Sequence, residues 1–262
     1  MFFDRWRKRH DPQISILIPF RDSDEERTVV WRWLERFWHD HLPHAELLIG
    51  NDDGFPFSKS VAVNEAARRA RGRIFAILDA DCFLNPAVIQ ACADALDEAD
   101  AQGRRTWFIP YLRLYRLNRR STDALIRTDP RRPFDFPTPP PPQDIDNHGA
   151  EGYGHQFGAI ALIMPREAFW TVEGMECRFR GWGGEDSSFM KSLDTLWGLH
   201  EVTDNEALHL WHQRPGDNYL TRRWVGQQTT NVNARLGQRY NIASNDPTFM
   251  KALIAERSES NE

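Results

Sequence analysis

Short apolar runs alternate with helical patterns along the first part of the chain. Four such runs, each bounded by turn residues, predict strands buried on both faces of a mostly parallel sheet. They cover residues 14–18, 46–49, 74–78 and 159–164. Between the first two runs, Ser23 and Glu26 form a capping-box pair, and apolar residues then recur at helical spacing from Val29 to Phe37. This region therefore predicts a strand, an amphipathic helix and a second strand.

Two more helices are predicted before residue 105. One covers residues 59–71 and is ended by Gly72, and the next begins at Asn85 as the cap, with Pro86 in its first turn. The order of elements is then β-α-β-α-β-α. The crossover rule for such units predicts an open α/β sheet, with ligands bound outside the carboxyl ends of its strands.

Residues 118–154 show almost no apolar periodicity and include the proline-rich stretch RTDPRRPFDFPTPPPPQ. This composition predicts an extended, exposed loop insertion. Long loops are usually functional or disordered, so residues 129–148 are interpreted either as a substrate lid or as a passive insertion. The apolar pattern resumes at 159–164, which favours a single domain over residues 13–262, behind a flexible N-terminus of residues 1–12.

Composition narrows the classes of protein. With 40% hydrophobic and 27% charged residues, the chain of 262 residues is typical of a globular enzyme or binding domain. Its net charge of −5 disfavours nucleic acid as the main ligand. The three cysteines stand in no zinc or redox spacing, which favours a reducing compartment. No run approaches about 18 apolar residues, and the N-terminus lacks the apolar run of a signal peptide, so we expect no membrane anchor.

Acidic residues follow two of the predicted strands. Asp79 and Asp81 come directly after the strand 74–78, and Asp52 and Asp53 follow the strand 46–49. Clustered carboxylates are costly unless a cation neutralises them, and oxygen ligands of this kind suit Mg²⁺ or Mn²⁺ bridging a diphosphate. The alternatives are a helix cap for the first pair and an Asp-Gly turn for the second. Arg21, which follows the first strand, is a candidate for contact with a phosphate or a sugar-nucleotide hydroxyl.

The segment GWGGED at residues 181–186 leads into a helical pattern. Glycines on both sides of Trp182 favour a mobile aromatic lid, and Glu185 and Asp186 fall at a helix N-terminus that favours their ionised forms. An ionised carboxylate beside a substrate hydroxyl can act as a general base. The alternative is a glycine-rich turn with helix-capping acids. Further on, strand alternation would place His209 and His212 on opposite sides, so that one of them reaches a metal.

The motifs IPFRD, NDDG, LDADC, GWGGED and LWHQ, in this order, resemble those of the GT-A glycosyltransferases. The resemblance covers residues 14–214 and is to the inverting β-1,4-galactosyltransferases and chondroitin-polymerase-type domains. It implies an α/β fold of the GT-A type, with an open, mostly parallel twisted sheet flanked by helices and an elaborated acceptor half. A nucleotide-sugar-binding half would cover residues 13–117, and an acceptor and catalytic half residues 155–262.

The resemblance also implies roles for individual residues. The metal, Mn²⁺ or Mg²⁺, would be held by Asp81 and His212. Asp186 would be the catalytic base, with Glu185 and Trp182 in the acceptor site. The UDP-sugar donor would contact Pro19, Phe20, Arg21, Asp52, Lys59 and Asp79.

The expected reaction moves a hexose or N-acetylhexosamine from a UDP-sugar to an acceptor hydroxyl on a glycan or glycoconjugate. A nucleic-acid acceptor is less favoured. Without an expected membrane anchor, a cytoplasmic bacterial or phage-encoded enzyme is predicted. One alternative is a nucleotidyltransferase acting on a sugar phosphate, which would normally carry a glycine-rich basic loop where this chain has Phe20 to Ser23. The other is a carbohydrate-binding module that uses some of the ten tryptophans as sugar platforms.

Overall fold

The computed structural model describes residues 12–22, 25–133, 137–152, 159–212 and 232–259. Its strands are β1 (Ile14–Pro19), β2 (Glu46–Gly50), β3 (Ile74–Leu78), β4 (Cys82–Leu84), β5 (Trp107–Ile109), β6 (Arg113–Leu117), β7 (Ile145–Gly152), β8 (Ala161–Pro165), β9 (His200–Val202) and β10 (Glu206–His209). Its helices are α1 (Glu25–His41), α2 (Lys59–Arg69), α3 (Pro86–Ala101), α4 (Arg119–Ile126), α5 (Arg166–Thr171), α6 (Glu185–Leu196), α7 (232–243) and α8 (Pro247–Glu259), with a 3-10 turn at Pro142–Asp144. Residues 1–11 of the predicted flexible N-terminus, and the predicted cap residue Ser23, lie outside the described residues.

A six-stranded sheet in the order β2-β1-β3-β8-β5-β9 forms the centre of the fold. The strands β2, β1 and β3 are parallel, as are β5 and β9, whereas β8 runs antiparallel to both of its neighbours. β1 and β3 are buried at every position, as predicted. β2 is partly exposed because it forms the edge of the sheet. The predicted α/β fold with a mostly parallel sheet flanked by helices is thus confirmed.

The caps of the helices follow from the sequence. The predicted cap Asn85 accepts a hydrogen bond from the backbone N–H of Ala87, and Pro86 begins α3. Ser58 caps α2 through the N–H of Val61, and this helix ends at Arg69, two residues earlier than expected. A Cβ on Gly50 would lie 1.8 Å from the carbonyl oxygen of Ala62, so glycine is what allows α2 to pack closely on the end of β2.

A second sheet of four strands, in the order β4-β10-β6-β7, lies beyond the first. It corrects the expectation that residues 118–154 form a loop throughout, because this segment contains α4, the 3-10 turn and β7. The sequence of β7 shows no apolar alternation. This segment is a strand because its backbone pairs with β6. In the proline-rich stretch, the carbonyl of Thr128 accepts a hydrogen bond from Trp33 Nε1 at 3.1 Å, and Pro130 O lies 3.0 Å from His41 Nε2. The start of this stretch is therefore docked on α1.

Among the described residues, no helix combines the length and the apolar character needed to cross a membrane.

Candidate active site

The candidate residues gather at the carboxyl edge of the parallel strands. β1, β2 and β3 end at Pro19, Gly50 and Leu78, and in-register pairing places these three ends at one edge of the sheet. Asp79, Ala80 and Asp81 then form the turn that takes the chain from β3 in the first sheet to β4 in the second. The two carboxylates therefore lie where the sheets meet, as predicted for a ligand site of an open α/β fold.

Lys59, the first residue of α2, connects the acidic turn after β3 with Asp186 at the start of α6. Its Nζ lies 2.7 Å from Asp79 Oδ1 and 2.8 Å from Asp186 Oδ1, and it donates a hydrogen bond to Ala159 O at 3.3 Å. The Lys59 side chain is only 12% exposed. Asp79, which is predicted to bind the donor, and Asp186, the predicted catalytic base, thus contact the same buried ammonium group.

Burial and like charges shape the titration of this cluster. The pKa of Asp186 is raised to about 7, mainly by burial and also by the carboxylates of Glu185 and Asp79, while Lys59 acts to lower it. Burial also raises the pKa of Glu185. Burial by itself would lower the pKa of Lys59, but the surrounding carboxylates raise it above its ordinary value. An aspartate with a pKa near neutrality, beside a fixed cation, has the properties required of a general base.

The GWGGED segment forms the turn that starts α6. Gly181, Gly183 and Gly184 have φ angles of 70°, 105° and 97°, which residues with a Cβ rarely adopt. Between them, the side chain of Trp182 is 89% exposed. Glu185 is buried, and among the described residues its Oε2 has no hydrogen-bond partner. The turn therefore holds an exposed indole and an unsatisfied carboxylate oxygen next to Asp186.

Asp52 ties the loop after β2 to the segment before GWGGED. Its Oδ2 lies 2.6 Å from Arg180 NH1 and accepts a hydrogen bond from the N–H of Ser58 at 2.8 Å. Burial by itself would raise the pKa of Asp52, but these two hydrogen bonds bring it below its ordinary value. Arg21 donates to Asp52 O and Gly54 O at 3.2 and 2.7 Å. Contact of Asp52 and Arg21 with a donor stays a prediction.

The remaining predicted donor residues lie deeper. Pro19 is buried at the end of β1, and Phe20 is 7% exposed, with its ring centroid 5.8 Å from that of Trp31. Their predicted role in a nucleotide pocket stays a prediction.

Asp81, His209 and His212 form a second cluster next to the first. His212 Nε2 lies 3.0 Å from Asp81 Oδ2, and His209 Nε2 lies 3.8 Å from Asp81 Oδ1. One ligand atom from each of the three residues lies within 4.8 Å of the others. Arg27 NH2 of α1 is 3.4 Å from Asp81 Oδ2.

Both histidines face Asp81, so the expectation that they point to opposite sides was wrong. Strand alternation does not extend to His212, because β10 ends at His209. Beyond it, the N–H of Leu210 donates to Asp81 O at 2.8 Å, and the N–H of Trp211 donates to Thr122 Oγ1 at 2.8 Å. These bonds turn the chain so that the second imidazole also reaches the carboxylate.

The donor set suits a divalent cation. Burial lowers the pKa of His209, which keeps its imidazole neutral and able to bind a metal. Burial by itself would raise the pKa of Asp81, but the histidines and Arg27 hold it well below its ordinary value. Asp81 Oδ1 is buried and has no hydrogen-bond partner among the described residues. An ionised carboxylate with one unsatisfied oxygen and two imidazoles would fit a cation such as Mn²⁺.

Helix α4, within the segment expected to be a loop, supports this cluster. Its Thr122 holds the backbone of Trp211, and the Arg119 guanidinium lies 4.9 Å from the centroid of the Trp211 ring. Arg119 also forms an ion pair with Glu26 of α1 at 2.8 Å. The position of His212 therefore depends on a helix that sequence patterning did not predict.

Three site residues were missed by sequence reasoning. His209 was set aside on the alternation argument, although it belongs to the same short motif as His212. Arg27 and Arg180 carry no motif of their own, and they contact Asp81 and Asp52 through tertiary packing.

A cavity of about 330 Å³ lies at the amino end of β1 and is lined by residues such as Gln13, His41 and Gln90. None of the candidate site residues lines this cavity.

Two family models match the sequence. The model of glycosyl transferase family 2 matches residues 55–164, and the model named N-terminal domain of galactosyltransferase matches residues 146–196. Both models describe glycosyltransferases, and neither describes a nucleotidyltransferase or a carbohydrate-binding module. No curated protein matches the sequence.

Solved structures with a similar fold include S. aureus TarS, residues 1–349, with a TM-score of 0.50 and 9% identity over 94% of this chain and 70% of that chain. The catalytic domain of Drosophila β1,4-galactosyltransferase 7, crystallised with xylobiose, has a TM-score of 0.39 and 18% identity over 73% of this chain. The match spans 63% of that Drosophila chain. A mutant of the same Drosophila enzyme, in complex with manganese, UDP-Gal and xylobiose, matches with a TM-score of 0.40 and 16% identity over 80% of this chain and 79% of that chain.

The sheet order, the acidic turn between the two sheets and the two family matches agree with the motif resemblance. The chain therefore has the GT-A fold, and two segments of its sequence match glycosyltransferase family models.

Proposed function

We propose that the protein transfers a hexose or an N-acetylhexosamine from a UDP-sugar to an acceptor hydroxyl, with inversion of the anomeric configuration. A divalent cation, Mn²⁺ or Mg²⁺, is the proposed cofactor, and the proposed acceptor is a glycan or glycoconjugate. The observation that carries this proposal is the contact of Lys59 with both Asp79 and Asp186. It brings the proposed base beside the acidic turn where a donor diphosphate would bind.

Asp186 is the proposed general base. Its ionised carboxylate would accept the proton of the acceptor hydroxyl while the hydroxyl oxygen attacks the anomeric carbon of the donor sugar. The bond from that carbon to the diphosphate oxygen would break, and UDP would leave. One displacement of this kind needs one base and inverts the anomeric carbon. With a pKa of about 7, Asp186 can both accept and release a proton near neutral pH.

Lys59 is proposed to orient this base. With its Nζ 2.8 Å from Asp186 Oδ1, it holds the carboxylate in one position and favours its charged form. Glu185 is the proposed acceptor ligand, because its unsatisfied Oε2 can accept a hydrogen bond from a sugar hydroxyl. Trp182 is proposed to cover the sugar, since its exposed indole offers an apolar face for stacking.

Asp81, His209 and His212 are the proposed metal ligands. When bound, the cation would offset the negative charge that develops on the leaving diphosphate. His212 was expected in this set from the sequence, and the geometry of the described residues supports the addition of His209. The cytoplasmic, bacterial or phage-encoded origin expected from the sequence stays a prediction.

A donor screen tests the proposal. The full chain would be incubated with UDP-glucose, UDP-galactose, UDP-N-acetylglucosamine and UDP-N-acetylgalactosamine, each with Mn²⁺, Mg²⁺ or a chelator, and released UDP measured. We expect release from at least one donor that requires the metal and is strongly reduced in Asp186→Asn. The anomeric configuration of the product, read by NMR, should be opposite to that of the donor. Retained configuration, or metal-independent release equal in the variant, would contradict the proposal.

A further inference from the structure

Arg27 lies beside Asp81, the carboxylate of the proposed metal site. It lies on α1, and its NH2 is 3.4 Å from Asp81 Oδ2, the oxygen that His212 Nε2 also approaches, at 3.0 Å. The Asp81 side chain is 4% exposed, whereas that of Arg27 is 25% exposed and so remains accessible from solvent. A fixed positive charge therefore stands beside the carboxylate of the proposed metal site.

The charges around Asp81 are already balanced without a metal. Arginine keeps its charge at any pH at which the protein is folded, and it offsets the charge of Asp81. The carboxylate two residues earlier, that of Asp79, is 2.7 Å from the ammonium of Lys59. A divalent cation bound to Asp81 would thus add two positive charges close to a guanidinium that already offsets the charge of this carboxylate.

An incoming diphosphate resolves this imbalance. Its oxygens carry at least two negative charges and can contact a metal ion and a guanidinium at the same time. The planar guanidinium is also well suited to bind phosphate oxygens through two parallel hydrogen bonds. We propose that Arg27 binds the diphosphate of the nucleotide-sugar donor beside the metal, and that it makes tight metal binding depend on the donor. This inference rests on the proposed function.

The surrounding structure holds Arg27 in place for this role. The preceding residue, Glu26, forms an ion pair with Arg119 of α4 at 2.8 Å, and Arg119 packs on the ring of Trp211. Helix α1 and the segment that carries His212 are therefore fixed to the same support. Arg27 and the metal ligands keep a set spacing, which coupled binding of a metal and a diphosphate requires.

Two effects of opposite sign distinguish this role from that of a simple structural partner of Asp81. Removing the charge of Arg27 relieves the repulsion on the cation, so the donor-free protein should bind metal more tightly. The same change removes a ligand of the diphosphate, so the metal-loaded protein should bind nucleotide more weakly. By linkage, the factor by which each ligand changes the affinity for the other is the same in both directions. A residue that merely neutralised Asp81 would produce the first effect without the second.

Isothermal titration calorimetry on the full chain tests the proposal with Mn²⁺ alone and with UDP at saturating Mn²⁺. For Arg27→Gln, we expect Mn²⁺ to bind roughly tenfold more tightly and UDP roughly tenfold more weakly than in the wild type. Arg27→Lys keeps the charge but not the planar fork, so its Mn²⁺ affinity should stay near wild type while its UDP affinity falls. Arg32→Gln removes an exposed charge from the same helix and serves as the matched control.

The proposal would be overturned if Arg27→Gln bound UDP within twofold of the wild-type affinity. It would also be overturned if Arg32→Gln lost as much UDP affinity as Arg27→Gln. If Arg27→Gln does not fold, Arg27→Lys decides, and unchanged UDP binding in that variant would be equally contrary. A wild-type protein that binds no UDP in the presence of Mn²⁺ would instead contradict the proposed function itself.

Discussion

The ammonium of Lys59 lies 2.8 Å from a carboxylate oxygen of Asp186. The two residues are far apart in the sequence, since one begins α2 and the other lies in the first turn of α6. Both are largely buried, so solvent screens their interaction weakly. The pair therefore links the protonation state of the proposed base to a single neighbouring cation.

The pH dependence of catalysis should report this pair. Burial raises the pKa of Asp186 to about 7, and the base acts only when it is deprotonated. We therefore expect kcat/KM to fall about tenfold for each pH unit below about 7 and to level off above it. Lys59→Gln removes a charge that lowers this pKa, so the acid limb should move to higher pH by about 1 to 3 pH units. Initial rates between pH 5 and 9 measure both effects.

Lys59→Arg is the matched control for this shift, because it keeps the positive charge. Its acid limb should stay close to that of the wild type even where its rate is reduced by altered geometry. Tyr111 also interacts electrostatically with Asp186, and it stays neutral over this range because burial raises its pKa. An acid limb that does not move in Lys59→Gln would show that Lys59 does not control the base.

Much of the fold follows from local patterns in the sequence. β3, and β1 apart from Ser15, are apolar because both of their faces are covered. The cap at Asn85 and the turn residues after each strand mark the element boundaries. β7 could not be found in this way. It is a strand because its backbone pairs with β6, and such pairing leaves no pattern in its side chains. The ion pair and hydrogen bonds that place α4 beside α1 and Trp211 are likewise long-range.

The site was predictable where its residues follow strand ends. Asp79 and Asp81 follow β3, so their position at the carboxyl edge comes directly from the sheet topology. The side on which His212 points depends on where β10 ends, and on the hydrogen bonds from Leu210 and Trp211 to distant residues. The contact of Arg27 with Asp81 could not be predicted from local sequence patterns either, because it is set by the packing of α1.

Metal binding should depend on both histidines. We expect His209→Ala and His212→Ala each to weaken Mn²⁺ binding by at least about tenfold, because each removes one of three proposed ligands. Asp81→Asn should have the largest effect, since it removes the only carboxylate of the set. Mn²⁺ titrations followed by electron paramagnetic resonance measure the three affinities.

His200→Ala is a suitable control for the histidine variants, because His200 contacts Asp194 rather than Asp81. Its Mn²⁺ affinity should remain that of the wild type. If His209→Ala also binds Mn²⁺ normally while His212→Ala does not, the sequence-based expectation of one metal-binding histidine would be restored.

A buried ionic network should contribute strongly to stability. Glu176 is 2% exposed, and its Oε2 lies 2.7 Å from Arg178 NH2, 3.3 Å from Arg257 Nε and 2.8 Å from the Tyr240 hydroxyl. These contacts join α7 and α8 to the segment that leads into GWGGED. Glu176→Ala removes the buried carboxylate that Arg178, Arg257 and Tyr240 share, so the free energy of unfolding should fall by about 3 kcal/mol.

Glu65→Ala provides the comparison for this loss. The Glu65 side chain is 41% exposed and pairs with Arg69 at 2.7 Å on the surface of α2. An exposed pair contributes at most about 1 kcal/mol, so the urea midpoint of this variant should change little. Equal losses of stability in Glu176→Ala and Glu65→Ala would rule out a special role for the buried network.

Asp186 and Glu185 are adjacent in sequence, but their surroundings predict different effects on catalysis. Asp186 contacts Lys59, whereas Glu185 has a buried carboxylate oxygen with no hydrogen-bond partner among the described residues. Asp186→Asn keeps the shape of the side chain but cannot accept a proton, so kcat should fall by roughly 10² to 10⁴, the usual contribution of a positioned base. Glu185→Gln should mainly raise the KM of the acceptor, because it weakens a hydrogen bond to the sugar.

Steady-state rates at saturating donor, with the acceptor concentration varied, separate these two effects. Metal-dependent UDP binding should stay near wild type in both variants, because neither residue is a proposed ligand of the metal or the diphosphate. A near-normal kcat in Asp186→Asn together with a severe loss in Glu185→Gln would exchange the two assignments. Normal values in both variants would remove the GWGGED acids from the reaction, and Lys59 would then be a purely structural link between α2 and α6.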